Sequence, residues 1–118
     1  MTRSIPTIDG LRRAIETRDA RSLTSFYADD AVLTIIDSDN PPSKPRTITG
    51  AKNIGAFLDD VYGRDMTHNL EMGLIEGGRL AFVQGCQYGD GTRVIASSTA
   101  ELGPHGIVRQ TTVQAWDS

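Results

Sequence analysis

Asp37 is the first side chain in this sequence whose position could support chemistry. It follows an apolar run of strand-forming residues, 31–36, so it would stand at the end of a strand. Burial beside an apolar chamber disfavours the charged form of a carboxylate and makes it a stronger base. Asp37 is therefore a candidate catalytic base for proton transfer. The alternative is a solvated acid that begins an Asp-Ser-Asp-Asn turn and bonds its own backbone.

His68 is the candidate catalytic partner of Asp37, either as an acid or as an orienting group. It lies in a strand-like segment, whereas the other histidine, His105, lies in a predicted hairpin loop. Imidazole is the side chain whose unperturbed pKa lies nearest neutrality, so it can exchange a proton at neutral pH. The alternative is a structural histidine that serves only to form hydrogen bonds.

Cys86 is the single cysteine of the chain. One cysteine excludes an intrachain disulfide and a cysteine-based metal cluster, which fits a reducing cytoplasm. No base or cation adjoins it in the sequence to stabilise a thiolate, so we expect a small buried residue in the wall of a pocket.

These candidates must be positioned by the helices and strands around them, and the first half of the chain is predominantly helical. The apolar spacing predicts two consecutive helices, about 7–17 and 20–27, and a third that runs from Gly50 to Gly63. Asp19 or Thr17 could cap the second helix. Between them lie a predicted strand, 31–37, and a loop, 37–45, whose prolines cannot continue a sheet ladder.

The second half of the chain is predicted to be all strand. Four segments, about 66–75, 79–89, 92–102 and 107–116, are separated by glycine-rich turns. Because Asp90-Gly91 between two such runs is a strong hairpin signal, we predict a four-stranded antiparallel meander. The whole chain, 1–118, is thus a single α+β domain with helices on one face of a curved sheet. A long sheet that coils around helices leaves a pocket between them.

Alternation along each strand predicts which side chains line that pocket. His68, Leu70, Met72 and Leu74 share one face of the first meander strand. The predicted substrate-binding residues are Tyr27, Phe82, Cys86, Tyr88, Ser98, Gln110, Thr112, Gln114 and Trp116. An apolar chamber with a few convergent polar groups suits a small, partly oxygenated molecule. On the last strand the opposite face, with Ile107, Val113 and Ala115, is also apolar, so its orientation stays open, and an apolar outer row would suit a dimer contact.

Composition and charge exclude several classes of partner. Hydrophobic residues make up 38% and charged residues 23% of the chain, as in an ordinary globular protein. A net charge of -3 and a pI near 5.2 give no attraction to nucleic acid or to anionic membranes. Neither a signal peptide nor a membrane-spanning apolar stretch is present, so we expect a cytoplasmic protein.

Cofactor and metal chemistry is also disfavoured by the motifs. The glycine pairs at 77–78 and 89–91 lie in hairpins rather than at helix starts, which makes them poor phosphate cradles. The sequence has no clustered His and carboxylate spacing and no Gly-x-Ser-x-Gly elbow. We therefore expect neither a metal nor a cofactor.

Four short motifs carry a resemblance to a known fold. They are Phe26-Tyr27-Ala28-Asp29-Asp30-Ala31, Gly50 at the start of the third helix, Asp90-Gly91-Thr92-Arg93, and the closing Trp116-Asp117. With the order of the elements, they resemble the nuclear-transport-factor-2-like cone fold and, within it, the SnoaL-like proteins related to ketosteroid isomerase and polyketide cyclases. The resemblance covers nearly the whole chain. It implies a cone-shaped α+β barrel, a cavity roofed by the helices, and a homodimer through the outer face of the sheet.

The catalytic residues of these relatives do not transfer to this chain. The isomerase pattern places its proton-shuttling aspartate at Ile35, with Asp37 next on the same face, and its tyrosine and carboxylic acid near Leu11 and Ser98. The cyclase pattern places a histidine and an aspartate at Ser98 and Thr112. Both catalytic sets are thus absent.

Two functional hypotheses follow. The first is a cofactor-independent isomerase, cyclase, dehydratase or epoxide hydrolase acting on a small apolar metabolite. The second is a non-catalytic module for ligand binding or dimeric interaction.

Overall fold

The structure of the protein, a computed structural model, describes residues 4–117, so residues 1–3 and 118 of the predicted domain lie outside the described residues. Within this range the chain forms three helices and one six-stranded sheet. The elements are α1 (Ile8–Glu16), α2 (Ala20–Thr24), β1 (Tyr27–Ile36), β2 (Arg46–Thr49), α3 (Ala51–Tyr62), β3 (Met66–Glu76), β4 (Arg79–Tyr88), β5 (Arg93–Gly103) and β6 (Gly106–Trp116). None of the helices in this range has the length and apolar character needed to cross a membrane.

The first two helices begin at side-chain caps. The hydroxyl of Thr7 accepts a hydrogen bond from the Gly10 N–H at 3.0 Å, and the Asp19 carboxylate accepts one from the Ser22 N–H at 3.0 Å. Such caps satisfy N–H groups that have no partner inside the helix. Asp19 was one of the residues expected from the sequence to cap the second helix, and this expectation is confirmed.

Arg18 connects the turn after α1 to the start of β3. It has a positive φ of 57°, which is unfavourable for a residue with a side chain. Its guanidinium donates to the carbonyl oxygens of Arg64, at 2.7 Å, and Met66, at 3.4 Å. These bonds offset the backbone strain and hold α1 against the strand that carries His68.

The strand order in the sheet is β2-β1-β6-β5-β4-β3. All neighbouring strands are antiparallel except β1 and β6, which are parallel, so the sheet is mostly antiparallel as predicted. The helices pack on one face and enclose a core whose most buried large side chains include Leu11, Ile15, Ile54, Leu80 and Ile107. The predicted α+β cone fold is confirmed.

The boundary between α2 and β1 differs from the prediction. The second helix ends at Thr24 rather than at residue 27, and β1 begins at Tyr27 rather than at residue 31. Asp29 and Asp30 are exposed, and the pairing of β1 with β6 is irregular between Tyr27 and Val32. The two acids therefore disturb the ladder without ending the strand.

A short edge strand, β2, was missed in the sequence. It follows the proline-rich loop and pairs with β1 so that Arg46 lies opposite Ile35 and Thr49 opposite Val32. Its sequence, Arg-Thr-Ile-Thr, is rich in β-branched residues that favour strands. A run of four such residues is too short to be distinguished, in the sequence, from the loop that precedes it.

Strand β3 changes face at an irregularity between Leu70 and Met72. His68 and Leu70 are buried as predicted, but the expectation that Met72 and Leu74 face the pocket is wrong, since they are 63% and 59% exposed. One extra residue in a strand exchanges the two faces beyond it. The Glu16 carboxylate on α1 accepts a hydrogen bond from the Leu70 N–H at 3.0 Å, next to this bulge.

A second register shift affects the start of β6. Leu102 pairs with Ile107 whereas Glu101 pairs with Arg109, which leaves Val108 as the extra residue. Ile107 is consequently buried, although alternation grouped it with Val113 and Ala115 on one face. Further along, Gln110 and Thr112 are buried while Val113 and Ala115 are exposed, which gives the orientation that the sequence left open.

Candidate functional site

Two adjoining pockets lie between the helices and the concave face of the sheet. The inner pocket has a volume of about 70 Å³, and the outer pocket about 170 Å³. They share four lining residues, Ile35, Phe57, Val61 and Gln114. Larger open grooves of about 510, 530 and 690 Å³ occur on the surface, and the last of them is also lined by His68. The inner pocket is the one that His68 lines together with the buried side chains of Gln110 and Thr112.

A buried hydrogen-bonded cluster forms one wall of the inner pocket; we call its residues, Tyr27, Ser98, Gln110 and Thr112, the β6 polar cluster. The Tyr27 hydroxyl donates to Oε1 of Gln110 at 2.7 Å, and Nε2 of Gln110 donates to the Thr112 hydroxyl at 3.0 Å. A further bond of 2.8 Å joins the hydroxyls of Thr112 and Ser98. Burial raises the pKa of Tyr27, so the cluster is uncharged.

Tyr62, at the end of α3, lies over the inner pocket. Its hydroxyl donates to Oε1 of Gln84 at 2.8 Å, and its ring packs on His68 with centroids 4.4 Å apart. Burial raises the pKa of Tyr62 well above its usual range. The phenol therefore remains a neutral hydrogen-bond donor that is already engaged.

His68 and Cys86 are direct partners across β3 and β4, and Nδ1 of His68 lies 3.2 Å from Sγ of Cys86. The histidine is 3% exposed, and its Nε2 is buried without a hydrogen-bond partner among residues 4–117. Burial lowers the pKa of His68 to about 4, and the charge of Arg18 acts in the same direction.

The thiol of Cys86 is shifted in the opposite direction. Burial raises the pKa of Cys86 to about 11, with a further contribution from the negative charge of Glu71. At neutral pH the pair is therefore a thiol beside a neutral imidazole rather than a thiolate beside an imidazolium. This contact was missed in the sequence, where no base adjoins Cys86.

Asp37 occupies the outer pocket as the first residue of a tight turn. Its Oδ1 accepts hydrogen bonds from the N–H groups of Asp39, at 3.0 Å, and Asn40, at 2.9 Å, and from the Asn40 side-chain amide at 2.9 Å. The side chain is half-buried and lines the outer pocket with Ile35 and Arg46. The turn considered as the alternative therefore forms, and Oδ2 has no hydrogen-bond partner among residues 4–117.

Aromatic and charged side chains form the rest of the outer pocket. Tyr88 and Trp116 stack with centroids 5.6 Å apart, and Arg64 donates to the Tyr88 hydroxyl at 3.0 Å and to Asp60 at 2.7 Å. Arg46 lies over the ring of Phe57, 5.1 Å from its centroid. The outer pocket is thus charged and partly exposed.

The structure distributes the predicted site residues over both pockets. Tyr27, His68, Phe82, Gln110 and Thr112 line the inner pocket, Asp37, Tyr88 and Trp116 line the outer one, and Gln114 lines both. Ser98 lies behind the inner wall within the β6 polar cluster. Cys86 is not among the lining residues of either pocket and contacts His68 instead.

Several residues of the site were not selected from the sequence. Gln84 and Tyr62 line the inner pocket but were not among the predicted site residues. Arg46 lies on β2, so missing that strand concealed it, whereas Phe57 reaches the outer pocket from α3. Within residues 4–117, no group of three or more His, Cys, Asp or Glu side chains is arranged to hold a metal ion.

Comparison with known proteins identifies solved structures that have a similar fold. No family model matches the chain, and no curated protein matches it. A Kribbella flavida protein, provisionally assigned as a ketosteroid isomerase, is similar with a TM-score of 0.73 and 18% identity over 93% of this chain and 74% of that chain.

Two further solved structures of unknown function are similar. A nuclear-transport-factor-2-like protein from Burkholderia xenovorans LB400 has a TM-score of 0.75 and 19% identity over 94% of this chain and 80% of its own. Another from Mesorhizobium loti has a TM-score of 0.74 and 14% identity over 98% of this chain and 99% of its own. The chain therefore has the nuclear-transport-factor-2-like cone fold, a fold that carries many different activities.

Proposed function

We propose that this protein binds a small, uncharged, mostly apolar and partly oxygenated organic molecule in the inner pocket. The observation that supports this best is the buried Nε2 of His68, which has no partner among residues 4–117 and belongs to a residue that lines the pocket. Leaving such a group unpaired costs about 1–3 kcal/mol, which a ligand with a matching polar atom would recover on binding.

The character of the lining supports an uncharged ligand. The inner pocket is lined by aliphatic and aromatic side chains together with hydroxyl, amide and neutral imidazole groups, and by no Asp, Glu, Lys or Arg. A charged ligand would lose its hydration there without gaining a counter-charge. A neutral molecule with one or two oxygens would avoid that cost.

Binding can be tested with cyclohexanone, whose carbonyl would lie in the inner pocket while its ring extends into the adjoining outer pocket, and with protein labelled at side-chain amides and histidine rings. We expect NMR shift changes at His68, Gln84 and Gln110, and binding about tenfold weaker in His68→Phe, because the ring keeps its volume but loses Nε2. The exposed His105→Gln variant is the matched control and should bind normally. Shift changes confined to the outer surface, or equal binding to His68→Phe, would contradict the proposal.

Cofactor-independent proton transfer at the same site is a second candidate function. The observation that favours it is Asp37 at the outer pocket, with Oδ1 fixed by its turn and Oδ2 uncommitted. Asp37 would take a proton from the substrate and return it to another carbon. His68, neutral at pH 7, would hold the substrate oxygen by a hydrogen bond rather than protonate it.

The conversion of 3-cyclohexenone to 2-cyclohexenone, followed by ultraviolet absorbance, tests this candidate. The step moves one proton from the carbon beside the carbonyl to the far alkene carbon. Asp37→Asn should lower the rate by about 10²–10⁴-fold, while the amide oxygen still accepts the turn hydrogen bonds. The same rate in Asp37→Asn, or no acceleration over buffer, would leave ligand binding as the function.

A homodimer through the outer face of the sheet also forms part of the proposal. Ile95 and Val113 are 49% and 48% exposed on adjacent strands of that face. Exposed apolar patches of this kind mark interaction sites. Val113→Lys should convert the dimer to a monomer in sedimentation experiments, whereas Thr99→Lys, four residues further along β5 than Ile95, should change it less. The free, half-buried thiol of Cys86 is compatible with the cytoplasmic location we propose.

A further inference from the structure

We infer that Cys86 fixes His68 in the tautomer with its proton on Nε2, so that the inner pocket offers an N–H donor and selects ligands with an acceptor oxygen, such as a ketone. The first part of this inference, the tautomer half, depends only on the contact between the side chains of Cys86 and His68. The second part, the ligand half, says which ligands bind and rests on the proposed function.

The contact geometry leaves two possible hydrogen bonds. Nδ1 of His68 and Sγ of Cys86 are 3.2 Å apart, and the residues are paired directly across β3 and β4. A neutral imidazole carries one donor and one acceptor nitrogen, and the bond made by one nitrogen sets the state of the other. Either the thiol donates to Nδ1, or Nδ1–H donates to the sulfur.

The chemistry of the two groups favours the thiol as the donor. Sulfur is a weak acceptor, whereas an unprotonated imidazole nitrogen is a good one. The thiol also keeps its proton at neutral pH, because burial raises the pKa of Cys86 to about 11, and the imidazole stays neutral with a pKa of about 4. An S–H to Nδ1 bond therefore forms and places the ring proton on Nε2.

The surrounding hydrogen bonds leave Nε2 of His68 as the one fully buried side-chain nitrogen or oxygen without a partner in the described part of the chain. Oε1 of Gln110 accepts from Tyr27, and Oε1 of Gln84 accepts from Tyr62. The Gln110 amide nitrogen donates to Thr112 within the β6 polar cluster. His68 Nε2, by contrast, is buried and has no partner in the described part of the chain. A ligand acceptor placed there would satisfy it.

The bulge in β3 makes the contact possible. Beyond it Glu76 pairs with Arg79 and Ile75 with Leu80, and continuing that register would place His68 opposite Gln87. The one-residue shift between Leu70 and Met72 brings Cys86 opposite instead. The Tyr62 ring packed on the imidazole then limits its rotation.

The tautomer can be measured without any ligand. In protein labelled with ¹⁵N-histidine, long-range proton–nitrogen NMR should show Nε2 of His68 protonated and Nδ1 bare. Cys86→Ser keeps a donor and should keep this pattern. Cys86→Ala should give a mixture of tautomers like that of the exposed His105, the internal reference. Protonated Nδ1 in the wild type, or an unchanged tautomer in Cys86→Ala, would overturn the inference.

The ligand half is tested with cyclohexanone and methylenecyclohexane, which have nearly the same shape but differ in the acceptor oxygen. We expect the ketone to bind about tenfold more tightly, with the preference reduced in Cys86→Ala and lost in His68→Phe. Equal binding of the two probes would overturn the donor inference and leave the proposed function standing. Binding of neither probe would refute the proposed function for this class of ligand, while the NMR result would still decide the tautomer.

Discussion

The inner and outer pockets share four lining residues, yet their polar groups differ in burial and in charge. In the inner pocket the buried phenols are neutral and engaged, Tyr27 with Gln110 and Tyr62 with Gln84, while Nε2 of His68 is buried without a partner among residues 4–117. In the outer pocket Asp37, Arg46 and Arg64 lie nearer to solvent. The difference shows that burial, rather than residue type, decides which groups can recognise a neutral ligand and which can interact with charge.

The largest difference between the pockets is expected in stability. Gln110→Leu should lower the free energy of unfolding by about 2–4 kcal/mol, because the Tyr27 hydroxyl and its neighbours would be buried without partners. Gln114→Leu, in the wall common to both pockets, is the matched control and should cost less than about 1 kcal/mol, since Gln114 is only half-buried. Urea unfolding measures both. Equal losses would show that the β6 polar cluster has no special role.

The next effect is a dependence of stability on pH that arises in the inner pocket. His68 has a pKa of about 4 in the folded state, against about 6.5 when unfolded. Between these two pH values the imidazole binds a proton in the unfolded chain but not in the folded chain. The contribution of His68 to the free energy of unfolding is therefore fully present above pH 6.5 and is lost as the pH falls toward 4. The loss should reach at most about 3 kcal/mol.

The assignment to His68 is checked by subtraction. Carboxylates also titrate near pH 4, so the unfolding free energies of wild type and His68→Phe are compared at each pH. The difference between them should change between pH 6.5 and pH 4 and be constant above pH 7. A constant difference throughout would show that the imidazole titrates normally.

The smallest effect is expected in the outer pocket. Trp116→Ala should lower the free energy of unfolding by about 1 kcal/mol, because it removes an aromatic stack on Tyr88 that is partly exposed to water. It should widen the entrance and speed ligand exchange without changing the tautomer of His68. A loss comparable to that of Gln110→Leu would mean that the outer pocket is as tightly organised as the inner one.

The sequence is sufficient where strands are regular. Strict alternation along β4 and β5 correctly placed Phe82 and Ser98 on the buried face, and the Asp90-Gly91 turn correctly marked the hairpin between them. Alternation has a period of two, so these positions follow once a single residue of each strand is assigned to a face. The capping of α2 by Asp19 was predictable for the same reason, because it depends on local spacing.

The sequence is insufficient where the ladder is interrupted. A two-residue turn at Gly77-Gly78 pairs even-numbered residues of β3 with odd-numbered residues of β4. His68 on β3 and Phe82 on β4 can then both face inward only if one residue is inserted between the turn and His68. This conflict is present in the sequence, but it does not give the position of the bulge, where the Leu70 N–H donates to Glu16 of a distant helix. The contact between His68 and Cys86 was hidden with it.

The position of β6 between β1 and β5 has a consequence for biosynthesis. As the nascent chain leaves the ribosome, β1 can pair with β2 early, and β3 to β5 can form their meander, but the two units stay separate until β6 has emerged. Contacts between such distant segments slow folding, and the exposed strand edges invite pairing with other chains in the meantime. Completion of the sheet, and with it closure of both pockets, therefore waits until β6 has been synthesised.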